Sequence, residues 1–161
     1  MAEMRVGLGY DVHAFADGRP LVIGGVELAH DRGLLGHSDA DVLVHALMDA
    51  ILGAMRAGDI GAHFPDTDPA YADISSIELL RRVADLARGS GWRLVDADCV
   101  LVLEEPRVAP ARDLMRRNMA EALGVPVDSV GLKATTTEGL GLTGRREGAA
   151  AQAVVLMERD A

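Results

Sequence analysis

The order in which strand-like and helical patterns follow one another constrains this chain most. RVGLGYDVHAF reads as a strand, and PLVIGGVELAH as a small hairpin around Gly24-Gly25. A helical stretch follows from Ser38, where Ser-x-x-Asp to Asp41 has the form of a capping signal. Leu43, Leu47, Ala50, Ile51 and Ala54 give it an apolar face. RAGDIGAHFPDTDPAYAD reads as a long ordered loop. A second helix opens at Ser75 and Glu78, carries Leu80, Val83, Ala84 and Ala87, and is stopped by Gly89 and Gly91. WRLVDADCVLVLE is a long strand broken at Glu105-Pro106. PARDLMRRNMAEALG is a third helix, and SVGLKATTT and AAAQAVVLMER are the last strands. Strands both alternate with helices and follow one another directly. The expected fold is therefore α+β: a two-layer sandwich with three main helices on one face of a mixed β-sheet.

The 161 residues fit one domain spanning 1–161. Aromatic residues make up only 3%, so the core must be built from Val, Leu, Ile, Ala and Met. Cys99, the one cysteine, lies in an apolar strand pattern and reads as a buried structural thiol in a reducing compartment. The first residues match neither a signal nor a transit peptide, and no apolar run reaches membrane-spanning length, so a cytoplasmic location is expected. A formal net charge of −9 without a basic block speaks against nucleic acid as a partner. A phosphorylated small molecule remains compatible, provided metal ions, aimed N–H groups or placed arginines offset the acidity.

Asp11 and His13 project to the same face of the first strand, because residues i and i+2 do. Such a pair reads either as a surface ion pair or as two ligands for a divalent metal. His45, one turn into the first helix, is a third candidate ligand among apolar neighbours, flanked by Asp41 and Asp49 at i−4 and i+4. A metal-bound His usually gives its second N–H to such a carboxylate, so one of these two is expected to orient it. Asp11, His13 and His45 would leave a fourth position open, as in catalytic zinc. His37 and Ser38 read either as a cap with an exposed His or as groups above an anion at the helix N-terminus. Gly139, Gly141 and Gly144 have the G-x-G-x-x-G spacing, but a strand rather than a helix follows, which excludes a dinucleotide fold. Lys133, the single lysine, reads as a specific requirement; His30 and His63 read as surface residues.

DVHAF, HSDADVLVHA, GDIGAHFPDTDP and KATTTEGLGLTGR, in this order between residues 11 and 145, closely resemble the 2-C-methyl-D-erythritol 2,4-cyclodiphosphate synthase family of the non-mevalonate isoprenoid pathway. The resemblance implies a substrate, 4-diphosphocytidyl-2-C-methyl-D-erythritol 2-phosphate. Its 2-phosphate attacks the β-phosphorus and CMP leaves. The nucleophile is already an anion on the substrate, so no activated Ser or Cys is needed. Positioning can supply on the order of 7–11 kcal/mol in such intramolecular reactions, and metal ions offset the repulsion between phosphates.

By the same resemblance, Asp11, His13 and His45 hold Zn2+, one per subunit, and Glu138 helps hold Mg2+ or Mn2+ with the substrate. His37 and Thr136 stabilise the transition state, and Ser38 contacts a phosphate. Asp59, Ile60, Gly61, Phe64, Pro65, Asp66, Thr67 and Asp68 hold the methylerythritol portion. Leu103, Glu104, Glu105, Pro106, Arg107, Val108 and Ala109, with Thr135 and Thr136, form the cytidine pocket, and Thr137 is a further substrate-binding residue. The chain departs from the family pattern at Glu104–Arg107, where Arg107 keeps lysine's charge but not its geometry, and at Leu142, where Phe is common. The family is a homotrimer with active sites between subunits. Arg145 matches a residue facing an axial cavity that takes isoprenoid diphosphates. Two alternative readings are a zinc-dependent phosphohydrolase, in which the same three ligands activate hydroxide, and a non-catalytic trimer that senses isoprenoid diphosphates through Arg145.

Overall fold

The computed structural model describes residues 1–160. A five-stranded sheet is formed by β1 (Glu3–Ala16), β4 (Gly33–Leu34), β5 (Trp92–Val102), β6 (Val130–Thr135) and β7 (Gly148–Arg159), in the order β4-β1-β7-β5-β6. Only the β5–β6 pair is parallel; β4–β1, β1–β7 and β7–β5 are antiparallel. The small hairpin is β2 (Leu21–Ile23) with β3 (Val26–Leu28). The helices are α1 (Val42–Met55), α2 (Ile60–His63), α3 (Ser76–Gly89), α4 (Arg112–Leu123) and α5 (Gly141–Gly144). This is the expected α+β sandwich with a mixed sheet, α1, α3 and α4 being the three main helices.

The sheet face under α1 is built from small residues. Gly7 and Gly9 of β1 pair with Val155 and Ala153 of β7, and Asp11 and His13 with Ala151 and Ala149. A Cβ at Gly9 would lie 1.8 Å from the Ala46 carbonyl oxygen, and one at Gly7 1.8 Å from that of Ala50. The scarcity of large residues thus lets a helix backbone settle directly on the sheet. α1 is consequently buried almost all round rather than along one stripe: Val42 to Met48, Ala50 to Leu52 and Ala54 are all inside.

Several local expectations change. α1 begins at Val42, not Ser38. Asp41 is the N-cap, its carboxylate accepting from Val44 N at 3.2 Å, while Ala40 turns through φ 57°. Ser75 precedes α3 as expected but makes no side-chain cap bond; Asp39 accepts from the Ser76 N–H at 3.0 Å instead. The segment expected as one loop contains α2, capped by Asp59, and a 3-10 turn at Pro69–Tyr71, capped by Asp68. A further 3-10 turn, Ala109–Ala111, precedes α4. His30 and His63 are half-buried rather than on the surface: His30 sits against Phe15, and His63 Nε2 donates to the Ala57 carbonyl at 2.7 Å. Lys133 is exposed and pairs with Asp98 at 2.7 Å, which gives the single lysine no special environment.

Candidate metal centre and substrate cavities

The close seating of α1 on β1 brings His45 over Asp11 and His13. Asp11 Oδ2 lies 2.9 Å from His13 Nε2 and 3.1 Å from His45 Nδ1. The two ring nitrogens are 3.1 Å apart. A tetrahedral zinc site with bonds of ~2.0–2.1 Å has ligand–ligand edges of about 3.3 Å, so the three donors are set close to the size of one such face. Burial disfavours the Asp11 charge, but the adjacent imidazoles of His13 and His45 outweigh it and hold the carboxyl at about 2. Burial likewise opposes charging of His13, whose value is nevertheless raised by its bond to Asp11. Among the described residues these three form the group that could hold a metal ion.

His13 is oriented by its other nitrogen. Nδ1 donates to the Leu35 carbonyl at 2.8 Å, which turns Nε2 towards Asp11. His45 is oriented differently from expectation. Neither Asp41 nor Asp49 touches its ring: Asp41 accepts from Gly24 N, Gly25 N and Val44 N, and Asp49 accepts from Ile60 N. His45 Nε2 instead faces the hydroxyls of Ser38 at 3.1 Å and Ser76 at 3.0 Å. Ser76 lies between Ser75 and Glu78 of the helix-start pattern, and nothing in its local spacing points to a contact 31 residues away.

The metal-donor triangle opens on a cavity of about 460 Å³, lined also by His37, Ser38, Ile60, Gly61, Phe64, Pro65 and Asp66. His37 Nε2 donates to the Asp68 carbonyl at 2.8 Å and so ties this wall to the 65–68 segment. The α1 N-terminus itself is not open to an anion, because Asp41 already occupies Val44 N. Asp59 and Asp68 spend their carboxylates on local caps, and Thr67 is exposed beside them.

A second cavity, of about 370 Å³, is lined by Leu103, Glu104, Pro106, Arg107, Val108, Ala109, Ala134, Thr135, Thr136 and Glu138. Glu104 braces its rim, accepting from Thr137 N at 3.1 Å and Gly139 N at 3.3 Å. Glu105 faces outwards to Arg146 at 3.7 Å. Among the described residues none lines both cavities: His37 and the metal-donor triangle lie on the first, Thr136 and Glu138 on the second. Leu142 is 40% exposed, and Arg145 is exposed and paired with Glu147 at 3.0 Å.

The sequence between residues 4 and 158 matches the model of the YgbB family. It is 59% identical to 2-C-methyl-D-erythritol 2,4-cyclodiphosphate synthase of Syntrophobacter fumaroxidans, over 98% of this chain and 99% of that protein. It is 54% identical to the enzyme of the same name from Bacillus cereus, over 96% and 98%. Among solved structures, the bifunctional IspDF from Campylobacter jejuni superposes with a TM-score of 0.95 at 40% identity, over 99% of this chain and 43% of that one. The Plasmodium falciparum IspF complex with CDP superposes with a TM-score of 0.85 at 27% identity, over 98% and 97%. On sequence and on fold, the chain belongs to the YgbB family, together with the 2-C-methyl-D-erythritol 2,4-cyclodiphosphate synthases.

Proposed function

We propose that the chain is a lyase of isoprenoid biosynthesis that cyclises 4-diphosphocytidyl-2-C-methyl-D-erythritol 2-phosphate to 2-C-methyl-D-erythritol 2,4-cyclodiphosphate, releasing CMP. The observation that carries this reading is the Asp11–His13–His45 triangle at the mouth of a substrate-sized cavity, in a chain whose relatives bear that enzyme's name. An oxygen of the 2-phosphate bonds to the β-phosphorus; the bond from β-phosphorus to the bridging oxygen breaks, and CMP leaves with the electron pair. This step needs no protein nucleophile, because the attacking oxygen is already an anion on the substrate.

Asp11, His13 and His45 would hold Zn2+, and Glu138 would help hold Mg2+ or Mn2+. Bound there, the ions supply Lewis-acid contacts and positive charge to phosphate oxygens. His37 and Ser38 orient the phosphate end in the first cavity, with Asp59 to Asp68 enclosing the methylerythritol portion. Leu103 to Ala109 and Thr135 to Thr137 take the cytidine, and Thr136 supplies a hydroxyl at the transferring phosphate. Because Glu104 spends its carboxylate bracing the rim, this departure from the family pattern leaves the pocket floor to backbone groups.

The active form is a homotrimer whose sites are completed between subunits. Two observations support this. The cavities share no described residue within one chain, and the outer sheet face exposes Val6, Leu8, Tyr10 and Val154, an apolar stripe suited to another copy. Arg145 and Leu142 lie on the segment that the trimer would turn inwards, towards an isoprenoid diphosphate. No helix among the described residues is long and apolar enough to cross a membrane, in keeping with a cytoplasmic enzyme.

The test is product analysis. Purified protein, Zn2+, Mg2+ and the cytidyl substrate in 18O-enriched water should yield CMP and a cyclic diphosphate free of 18O. An 18O-labelled linear phosphate would make the protein a phosphohydrolase instead.

A further inference from the structure

Besides Ser38, the second nitrogen of His45 faces a buried pair, Ser76 and Asp39, that the proposed reaction does not use, and its donor–acceptor order leaves one consistent arrangement. Ser76 is fully buried. Its hydroxyl donates to Asp39 Oδ1, and its backbone N–H donates to Asp39 Oδ2 at 3.0 Å. A serine hydroxyl has one proton, and here a carboxylate takes it. The Ser76 oxygen, 3.0 Å from His45 Nε2, is therefore left as an acceptor, so the proton between them belongs to Nε2. Nδ1 then presents its lone pair towards Asp11 Oδ2 and His13 Nε2, each 3.1 Å away.

We infer that Asp39 and Ser76 are positioning residues, a relay that fixes the tautomer of His45 so that Nδ1 is its metal-facing nitrogen. The inference rests on reading Asp11, His13 and His45 as a metal site. Its physical content is a contest between two carboxylates. Asp11 pulls a proton towards Nδ1, which would remove the third donor. Asp39, acting through Ser76, keeps a proton on the opposite nitrogen. One consequence reaches the substrate cavity. Ser38 Oγ, 3.1 Å from the same Nε2 and accepting from Ala40 N at 3.2 Å, cannot donate to a nitrogen that already carries a proton. Its own hydroxyl proton is left for a phosphate in the cavity it lines.

A merely structural role makes a different prediction. Asp39 also caps α3 through the Ser76 N–H, and Ser76→Ala retains that bond while removing the hydroxyl. If the pair served only the helix end, Ser76→Ala would bind zinc like the wild type.

The experiment titrates zinc into the full-length chain, freed of metal by a chelator, against a chromogenic competitor. Wild type, Ser76→Ala, Asp39→Asn, the double variant and His13→Ala are compared, with circular dichroism and melting of the metal-free forms as fold controls. Partners of metal ligands typically contribute about 10–100-fold to affinity. Both single variants should lose zinc affinity within that range while remaining folded, and the double variant should be no weaker than the worse single. Wild-type affinity in folded Ser76→Ala overturns the relay, as do single-variant losses that multiply in the double. If Ser76→Ala does not fold, Asp39→Asn decides by the same comparison, wild-type affinity again overturning the relay. Zinc binding by the wild type that is indifferent to His13→Ala overturns the metal reading itself, a separate failure.

Discussion

Gly9 of β1 lies against the carbonyl of Ala46 in α1, so closely that a methyl group at Gly9 would come within 1.8 Å of that oxygen. Ala46 follows His45, and Gly9 lies two residues before Asp11. The contact that seats the helix therefore also sets the distance between the histidine and the strand carboxylate.

Gly9→Ala should displace α1 from the sheet. The obstacle is backbone rather than a flexible side chain, so the loss should exceed the ~1–3 kcal/mol typical of overpacking, read as a fall in urea midpoint and as weakened zinc binding. Gly53→Ala is the contrasting case. A Cβ there meets nothing within 4 Å, and the helix should gain about 0.5–1 kcal/mol. Equal effects at the two positions would contradict this packing.

Cys99 is fully buried, and burial, with some help from Asp98, pushes its thiol up to about 12. A thiol-reactive dye at pH 8 should leave the native protein unlabelled and label one thiol per chain in urea. Rapid labelling of the folded chain would show that β5 is not enclosed as described.

Asp41 is buried beneath the β2–β3 hairpin. Burial, reinforced by the nearby Asp39 charge, raises it to about 6 despite three N–H donors. An acid with a raised folded value holds its proton more tightly in the folded state than in the unfolded one. Its contribution to stability is therefore unfavourable above about pH 6 and improves as pH falls from 6 towards 4. The span is on the order of 3 kcal/mol at most. In the presence of chelator, the wild-type urea midpoint minus that of Asp41→Asn should rise between pH 7.5 and pH 5. A difference that stays flat or falls would contradict the assignment.

Leu8 is 68% exposed on the outer face of β1. Leu8→Arg should split the proposed trimer into single chains in sedimentation and abolish turnover, because the two cavities of a shared site then lie on separate molecules. The isolated chain should still bind zinc. A variant that sediments as one chain yet retains full activity would contradict a site shared between subunits.

Much of the candidate metal centre was legible because it follows from periodicity. Asp11 and His13 had to share a strand face, and one imidazole on an apolar helix needed something to face. The fold class was legible for a similar reason, since only a mixed sheet accommodates that order of elements. Other features depend on contacts distant in sequence. Ser-x-x-Asp fits a helix start at Ser38, yet the cap is Asp41, because Ser38 turns its hydroxyl to His45. Asp41 and Asp49 had the i±4 spacing to hold His45, but the N–H groups of the hairpin and α2 claim them. Ser76 and Asp39 meet only after α3 has packed beside α1, and no local pattern could announce that pairing.

The central claim is that Asp11, His13 and His45 converge on one ion. Anomalous diffraction at the zinc edge, from crystals grown with zinc, tests it most directly. The account predicts a peak about 2.0–2.1 Å from Asp11 Oδ2, His13 Nε2 and His45 Nδ1 together. Zinc found only elsewhere on the protein, with those three atoms bonded to no metal, would contradict it.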